Sequence, residues 1–132
     1  MVVVLDSNIW ISFALNMQLD FVASLHENKI KIAGCKHLLD ELIIVTSRPK
    51  FKKYFSGNYL EKFILFYQVT TTNFAIANIE PVVSDEKDNY LFALCKAAKA
   101  DYFVTGDKLL LSVNKYQETS VITLTDFKNI VQ

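Results

Sequence analysis

Glycine is nearly absent from this chain: three residues in 132, with only two prolines. So few backbone breaks exclude long flexible linkers. Cysteine is as scarce. Cys35 and Cys95 stand in helix-like surroundings and form no metal-type spacing. A disulfide between them and two buried free thiols both stay open, and a reducing cytosol favours the thiols. No charge of one sign dominates, since fourteen Lys and Arg balance fourteen Asp and Glu. A strongly basic nucleic-acid binder is thereby excluded; contact with a polyanion must come from a local patch or through a metal ion. No apolar run approaches the roughly 20 residues that span a bilayer. Met1 to Asp6 reads as a strand with no basic leader, not as a signal peptide, so the expected location is the cytoplasm.

Apolar residues, by contrast, make up 52% of the chain, and the mean hydropathy is +0.22. Residues 1–132 are enough for a single domain with a substantial core. The apolar excess has two readings, a rich core alone or a core plus an apolar partner surface.

Val2 to Leu5 is a continuous, mostly β-branched run and predicts a buried strand. Ser7 or Asn8 then caps a helix carrying Ile9, Trp10, Phe13 and Ala14. Phe21, Val22 and Leu25 predict another helix, ending near Asn28. Lys29 to Ala33 alternates like a strand and stops at Gly34. Lys36 to Thr46 has the stripe of an amphipathic helix, broken by Arg48-Pro49. Tyr59 to Tyr67 predicts a helix, Val69 to Thr72 a short strand or extended linker, and Ala75 to Val83 a weak extended stretch. Asp85 to Ala100 predicts one long helix, its acids at the positive end of the helix dipole. Tyr102 to Thr105 reads as a buried strand, Gly106 as a turn and Lys108 to Leu111 as a short helix. Ser120 to Leu124 reads as a further strand, with Thr125-Asp126 capping a last helix. Alternating β and α units predict a three-layer α/β/α sandwich around a central parallel sheet.

Four acidic residues stand out on this frame. Asp6 follows the first strand, and Asp107 follows the Tyr102 strand after a Thr-Gly turn. Ligands of open α/β sheets bind beyond the carboxyl ends of the strands, so both reach one crevice if these strands are neighbours. Asp88 lies in the first turn of the Asp85 helix, and Glu41 reaches in from the Lys36 helix. Carboxylates packed together repel one another, and one or two hard divalent cations, Mg²⁺ or Mn²⁺, resolve the repulsion. Such clusters without His or Cys suit phosphodiester hydrolysis better than zinc chemistry.

Each member also has a plainer reading. Asp6, Asp85 and Asp88 taken singly are helix caps. Glu41 alone is a solvated helix residue, with Asp40 beside it as a competitor. The Thr-Gly-Asp turn together with Glu41 tips the balance to metal binding. Asp101 reads as a turn residue and Asp126 as an N-cap. The densest basic run, Arg48, Lys50, Lys52 and Lys53, is either a solvated loop or a phosphate contact, with Phe51 and Tyr54 placed to stack on bases. His26 and His37 have no partner motif and read as surface or structural residues.

At these residues the chain resembles the PIN-domain family, specifically the VapC-like toxins of bacterial and archaeal toxin–antitoxin modules. The matching segments are Val3-Val4-Leu5-Asp6-Ser7-Asn8, Leu38-Leu39-Asp40-Glu41-Leu42, Arg48-Pro49-Lys50-Phe51, Asp85-Glu86-Lys87-Asp88-Asn89 and Asp101-Tyr102-Phe103-Val104-Thr105-Gly106-Asp107. They occur in the family's order over nearly the whole chain. Ser7 stands where the family often has threonine, and Tyr54 to Pro81 carries no matching motif. The resemblance implies a metal-dependent endoribonuclease with Asp6, Glu41, Asp88 and Asp107 as its acidic quartet. Asn8 and Thr105 would support the quartet through hydrogen bonds, and Asp85 would be an auxiliary acid. It further implies an RNA substrate, a cognate antitoxin and a homodimer. Two other functions compete. One is a non-catalytic RNA- or partner-binding PIN module, which the intact acids disfavour. The other is a haloacid-dehalogenase-like phosphatase, which wants an aspartate where this chain has Asn8.

Overall fold

The computed structural model describes residues 1–132. Its first strand, β1 (Val2–Leu5), is three valines and a leucine. β-Branched side chains favour extended backbone, and Val3, Val4 and Leu5 are completely buried. A strand buried along its length must be covered on both faces. It sits in the middle of a six-stranded sheet of order β3-β2-β1-β4-β6-β5. On one side β2 (Lys31–Gly34) pairs with β1 and β3 (Thr71–Asn73) with β2; on the other, β4 (Tyr102–Val104) pairs with β1 and β6 (Thr119–Ile122) with β4. All four pairings are parallel. Only β5 (Lys115–Tyr116) runs antiparallel, as the hairpin partner of β6.

Eight helices surround the sheet: α1 (Ser7–Leu15), α2 (Leu19–Glu27), α3 (Lys36–Thr46), α4 (Pro49–Lys52), α5 (Tyr59–Thr70), α6 (Asn89–Ala98), α7 (Lys108–Leu111) and α8 (Leu124–Val131). The result is the expected three-layer α/β/α arrangement. α6 packs on β1 and β2 with Leu91, Leu94 and Cys95 completely buried. α2 packs on β2 and α8 on β4, and Phe21 meets Phe127 edge-to-face between those two helices. Trp10 and Phe13 of α1 and Phe63 of α5 join the same continuous core. Both cysteines are free and buried. No helix is long and apolar enough to cross a membrane.

Several boundaries differ from the sequence reading, each for a local reason. The central sheet is parallel as expected except for one added edge, the two-residue β5, which is too short to leave a periodic signal. α5 runs on to Thr70, so β3 begins only at Thr71. The hydroxyls of Thr70 and Thr71 donate to the carbonyls of Phe66 and Tyr67, both at 2.7 Å. Back-bonding of this kind lets β-branched residues close a helix. The long helix expected from Asp85 begins instead at Asn89, after a 3₁₀ turn over Glu86–Asp88. Asn89 accounts for the break: its side chain accepts the Val83 N–H at 2.9 Å and donates to the Val83 carbonyl at 3.2 Å. The basic run is not a loop, since Pro49 opens the single-turn α4. α8 is capped by Thr123, whose hydroxyl accepts the Asp126 N–H at 3.2 Å, and not by Thr125-Asp126.

Candidate active site

The sheet grows outward from β1 in both directions. The chain first lays β2 and β3 on one side, then returns to place β4 on the other. A crevice opens at the carboxyl ends of strands at such a reversal. Leu5 pairs with Val104, so Asp6 and the Thr105-Gly106-Asp107 turn leave the sheet together. The Asp6 N–H donates to the Val104 carbonyl at 3.0 Å, and the Thr105 N–H to the Ile122 carbonyl at 3.0 Å. The backbone under the site is therefore an extension of the sheet ladder.

Asp6 occupies the N-cap position of α1, yet its side chain makes no capping bond. It turns to Thr105, whose hydroxyl donates to Asp6 Oδ2 at 2.7 Å. The same hydroxyl oxygen accepts the Asp107 N–H at 3.1 Å. Asp6 is 4% exposed, and loss of water around it pushes its carboxyl above the usual range. The Thr105 hydrogen bond and the Ser7 N–H oppose that push, while the charges of Glu41 and Asp107 add to it. Asp107 is exposed and does cap a helix: Oδ1 accepts the Leu109 N–H at 2.8 Å, while the residue also lines the crevice.

Asp88 ends the 3₁₀ turn at the start of α6 and is half-buried. Burial raises its carboxyl first; the charges of Asp85, Asp6, Glu41 and Asp107 add, and together they push it up to about 6. Glu41 stands half-buried on α3, and its Oε1 accepts the Tyr90 hydroxyl at 3.1 Å. All four of these carboxylates, with Asp85, line one cleft of about 180 Å³. That is below the ~300 Å³ at which pockets enclose drug-sized ligands. Asn8 lines the cleft too, but makes no side-chain hydrogen bond of the kind Thr105 makes.

Two cations line the cleft with these five carboxylates, Arg48 at the N-cap of α4 and Lys87 in the 3₁₀ turn. Lys87 lies 3.8 Å from Asp85. Lys50, Lys52 and Lys53 do not line the cleft. They are exposed on and after α4, with Lys50 over the Phe51 ring at 4.9 Å and Lys53 over Tyr54 at 5.0 Å. The donor set is oxygen alone, which fits a hard divalent cation and no soft one. The carboxylates share the cleft without being drawn onto one point: no group of three or more His, Cys, Asp or Glu side chains is gathered tightly enough to hold a metal ion.

Three residues around the cleft escaped the sequence reading. Lys87 stands between Asp85 and Asp88, in a segment where the acids alone carry the sequence signal. Asn89 ties down the segment that carries Asp85 and Asp88, and only its partner Val83 reveals that role. Tyr90 is buried beneath Glu41, with the His37 ring stacked on its own at 5.3 Å. Burial, then the Glu41 charge, push the Tyr90 phenol well up, so it stays protonated and donates.

An acidic cleft with cations at its margin thus lies at the switch point of a mostly parallel α/β sheet, where ligands of such sheets bind. A family model described as the PIN domain matches residues 2–109, and the chain belongs to that family. The match includes all five cleft carboxylates and ends within α7. PIN domains are in general nucleases, hydrolases that work with divalent metals. No curated protein and no solved structure matches the chain.

Proposed function

We propose that the protein is a divalent-metal-dependent endoribonuclease and the toxin of a toxin–antitoxin module. The observation that carries the nuclease reading is the shared cleft of Asp6, Glu41, Asp88 and Asp107, with Asp6 buried and held by Thr105. These four would hold Mg²⁺ or Mn²⁺, with Asp85 as an auxiliary acid, Thr105 supporting Asp6 through its hydrogen bond and Asn8 lining the cleft. When bound, the ion activates a coordinated water and stabilises charge on a phosphoryl oxygen.

The chain's own groups do the rest. Thr105 fixes the Asp6 carboxylate and the start of the Asp107 turn in one bond network. Arg48 presents a guanidinium fork to a phosphate in the cleft. Lys50, Lys52 and Lys53 extend positive charge along the approach, and Phe51 and Tyr54 offer ring faces to unpaired bases. Single-stranded or loop RNA is the substrate that uses all of these.

The toxin role rests on the ordered likeness of the motifs to VapC-like proteins. Ile44 supports it physically: the side chain lines the cleft yet is 61% exposed, an apolar rim on which an antitoxin would seat while blocking the site. Leu65 and Val69, exposed one turn apart on α5, support a homodimer. The expected compartment is the cytoplasm. The second reading, a non-catalytic RNA- or partner-binding module, is favoured by one observation, the lack of a pre-gathered metal cluster.

Structured and unstructured RNA incubated with purified protein and Mg²⁺, Mn²⁺ or EDTA separates the two, alongside Asp6→Asn and Asp107→Asn. The nuclease reading expects cleavage only with metal and only by the unmodified chain. Cleavage in EDTA, or full activity in both variants, would sink it. No cleavage and no metal binding by calorimetry would favour the binding module. Co-purification with the product of a neighbouring short reading frame, and loss of cleavage on binding it, tests the toxin role.

A further inference from the structure

Glu41 and Asp88 reach the cleft from two different helices, α3 and the start of α6, and neither helix is part of the sheet that fixes Asp6 and Asp107. One side-chain bond joins them across the cleft wall: the Tyr90 hydroxyl donates to Glu41 Oε1 at 3.1 Å, over 49 residues of chain. Tyr90 is two residues past Asp88 and is 5% exposed. Its ring is held nearly parallel to His37, which lies one turn before Glu41 on α3. Burial and this stack restrict the phenol, and the one hydrogen it offers goes to the carboxylate.

A glutamate has three side-chain torsions, and freezing them on binding a cation costs entropy. A buried donor that already holds one carboxylate oxygen removes part of that cost and leaves the other oxygen free. Partners of this kind commonly change metal affinity by about 10–100-fold. We propose that Tyr90 is a positioning residue of the cleft, holding Glu41 toward the divalent cation and keeping α3 and α6 in register at the site. The inference rests on the metal-dependent reading above. Nothing in the acidic motifs assigns this residue, because a tyrosine early in a buried helix reads as core.

The test is Mn²⁺ calorimetry on the full chain, with Tyr90→Phe, His37→Ala, Glu41→Gln and the double variant Tyr90→Phe/Glu41→Gln. Tyr90→Phe removes a single oxygen and keeps the ring. We expect it to weaken Mn²⁺ binding about tenfold, with a smaller loss for His37→Ala. In the Glu41→Gln background the same change should have no further effect, because Tyr90 acts through Glu41. Equal affinity for Tyr90→Phe and the unmodified chain would overturn the inference while leaving the metal reading intact. A loss that persists in full in the Glu41→Gln background would also overturn it, since it would mark a general packing effect. Failure of the unmodified chain to bind Mn²⁺ would remove the metal reading itself, and this inference with it. If Tyr90→Phe does not fold, His37→Ala carries the comparison by the same criteria.

Discussion

Thr105 donates its hydroxyl hydrogen to Asp6 Oδ2 at 2.7 Å, across 99 residues of sequence. Both side chains are buried, at 0% and 4% exposure. The hydroxyl also receives the Asp107 N–H. Thr105→Val keeps the shape and removes both bonds, leaving a buried carboxylate oxygen and an N–H without these partners. The expected loss of stability is about 1–3 kcal/mol, read from urea denaturation. Thr105→Ser, which keeps the hydroxyl, should lose clearly less. Equal losses for the two would show that packing, not the hydrogen bond, sets the cost.

Asp6→Asn tests the cost of keeping a charge in that place. Burial and the charges of Glu41 and Asp107 disfavour the ionised carboxyl, and an amide can still accept the Thr105 hydrogen. We expect the variant, in EDTA at neutral pH, to melt higher than the unmodified chain while losing RNA cleavage. Such an exchange of stability for function is common at active sites. A lower melting temperature would show that the carboxylate stabilises the metal-free fold.

The raised acids also set a pH dependence. The Asp88 carboxyl sits at about 6 in the folded chain, against an ordinary 3.8. The folded protein therefore holds this proton more tightly than the unfolded chain does. Stability in EDTA should fall as pH rises from about 4 to about 6, then level off. Asp6 shifts in the same direction. A bound divalent cation favours the ionised carboxylates, so added Mg²⁺ should raise the melting temperature more at pH 7.5 than at pH 5. Melting curves across that range with EDTA or Mg²⁺ would contradict this if EDTA stability rose through the window.

Gly34 ends β2 where the Tyr67 hydroxyl closes in. A Cβ there would lie 2.5 Å from that hydroxyl oxygen and 3.1 Å from Thr71. The hydroxyl meanwhile accepts the Cys35 N–H at 3.3 Å and faces the Cys35 carbonyl at 3.4 Å. We expect Gly34→Ala to cost about 1–3 kcal/mol by overpacking, and Tyr67→Phe in the same chain to recover part of it. A double-mutant cycle with no coupling between the two would place the strain on Thr71 instead.

How far the sequence disclosed all this depended on where each signal was stored. The range of α3 was legible residue for residue, since one amphipathic stripe ended by Arg48-Pro49 encodes it locally. β1 and β4 were legible because burial on both faces leaves an unbroken apolar run. That they are neighbours, which brings Asp6 to Asp107, followed only from a conditional argument about sheet order. What stayed hidden was encoded in particular side-chain bonds, some near in sequence and some far, that hydrophobic periodicity does not register. The helix start at Asn89 depends on Val83, and the end of α5 depends on hydroxyls bonding backward, against the β-propensity of Val69 to Thr72. Tyr90 and Glu41 are 49 residues apart, and no local pattern links a core tyrosine to a charged helix face. The capping ambiguity among the acids also resolved only in three dimensions. Asp107 does cap a helix, whereas Asp6 holds a capping position without using it.

The sheet reversal at β1 has a consequence for when the cleft can exist. Asp6 hangs on an early strand and Thr105 on a late one, and β4 has no place to dock until β1 is already laid down. A nascent chain emerging from the ribosome carries Asp6 and Glu41 long before Thr105 and Asp107 follow. Until they do, the Asp6 carboxylate lacks its hydroxyl partner and the cleft lacks a wall. We expect ribosome-stalled chains cut short before β4 to bind no Mn²⁺, and a stalled chain ending there that bound it would contradict this. Assembly timed in this way leaves the cleft incomplete until most of the chain has been made.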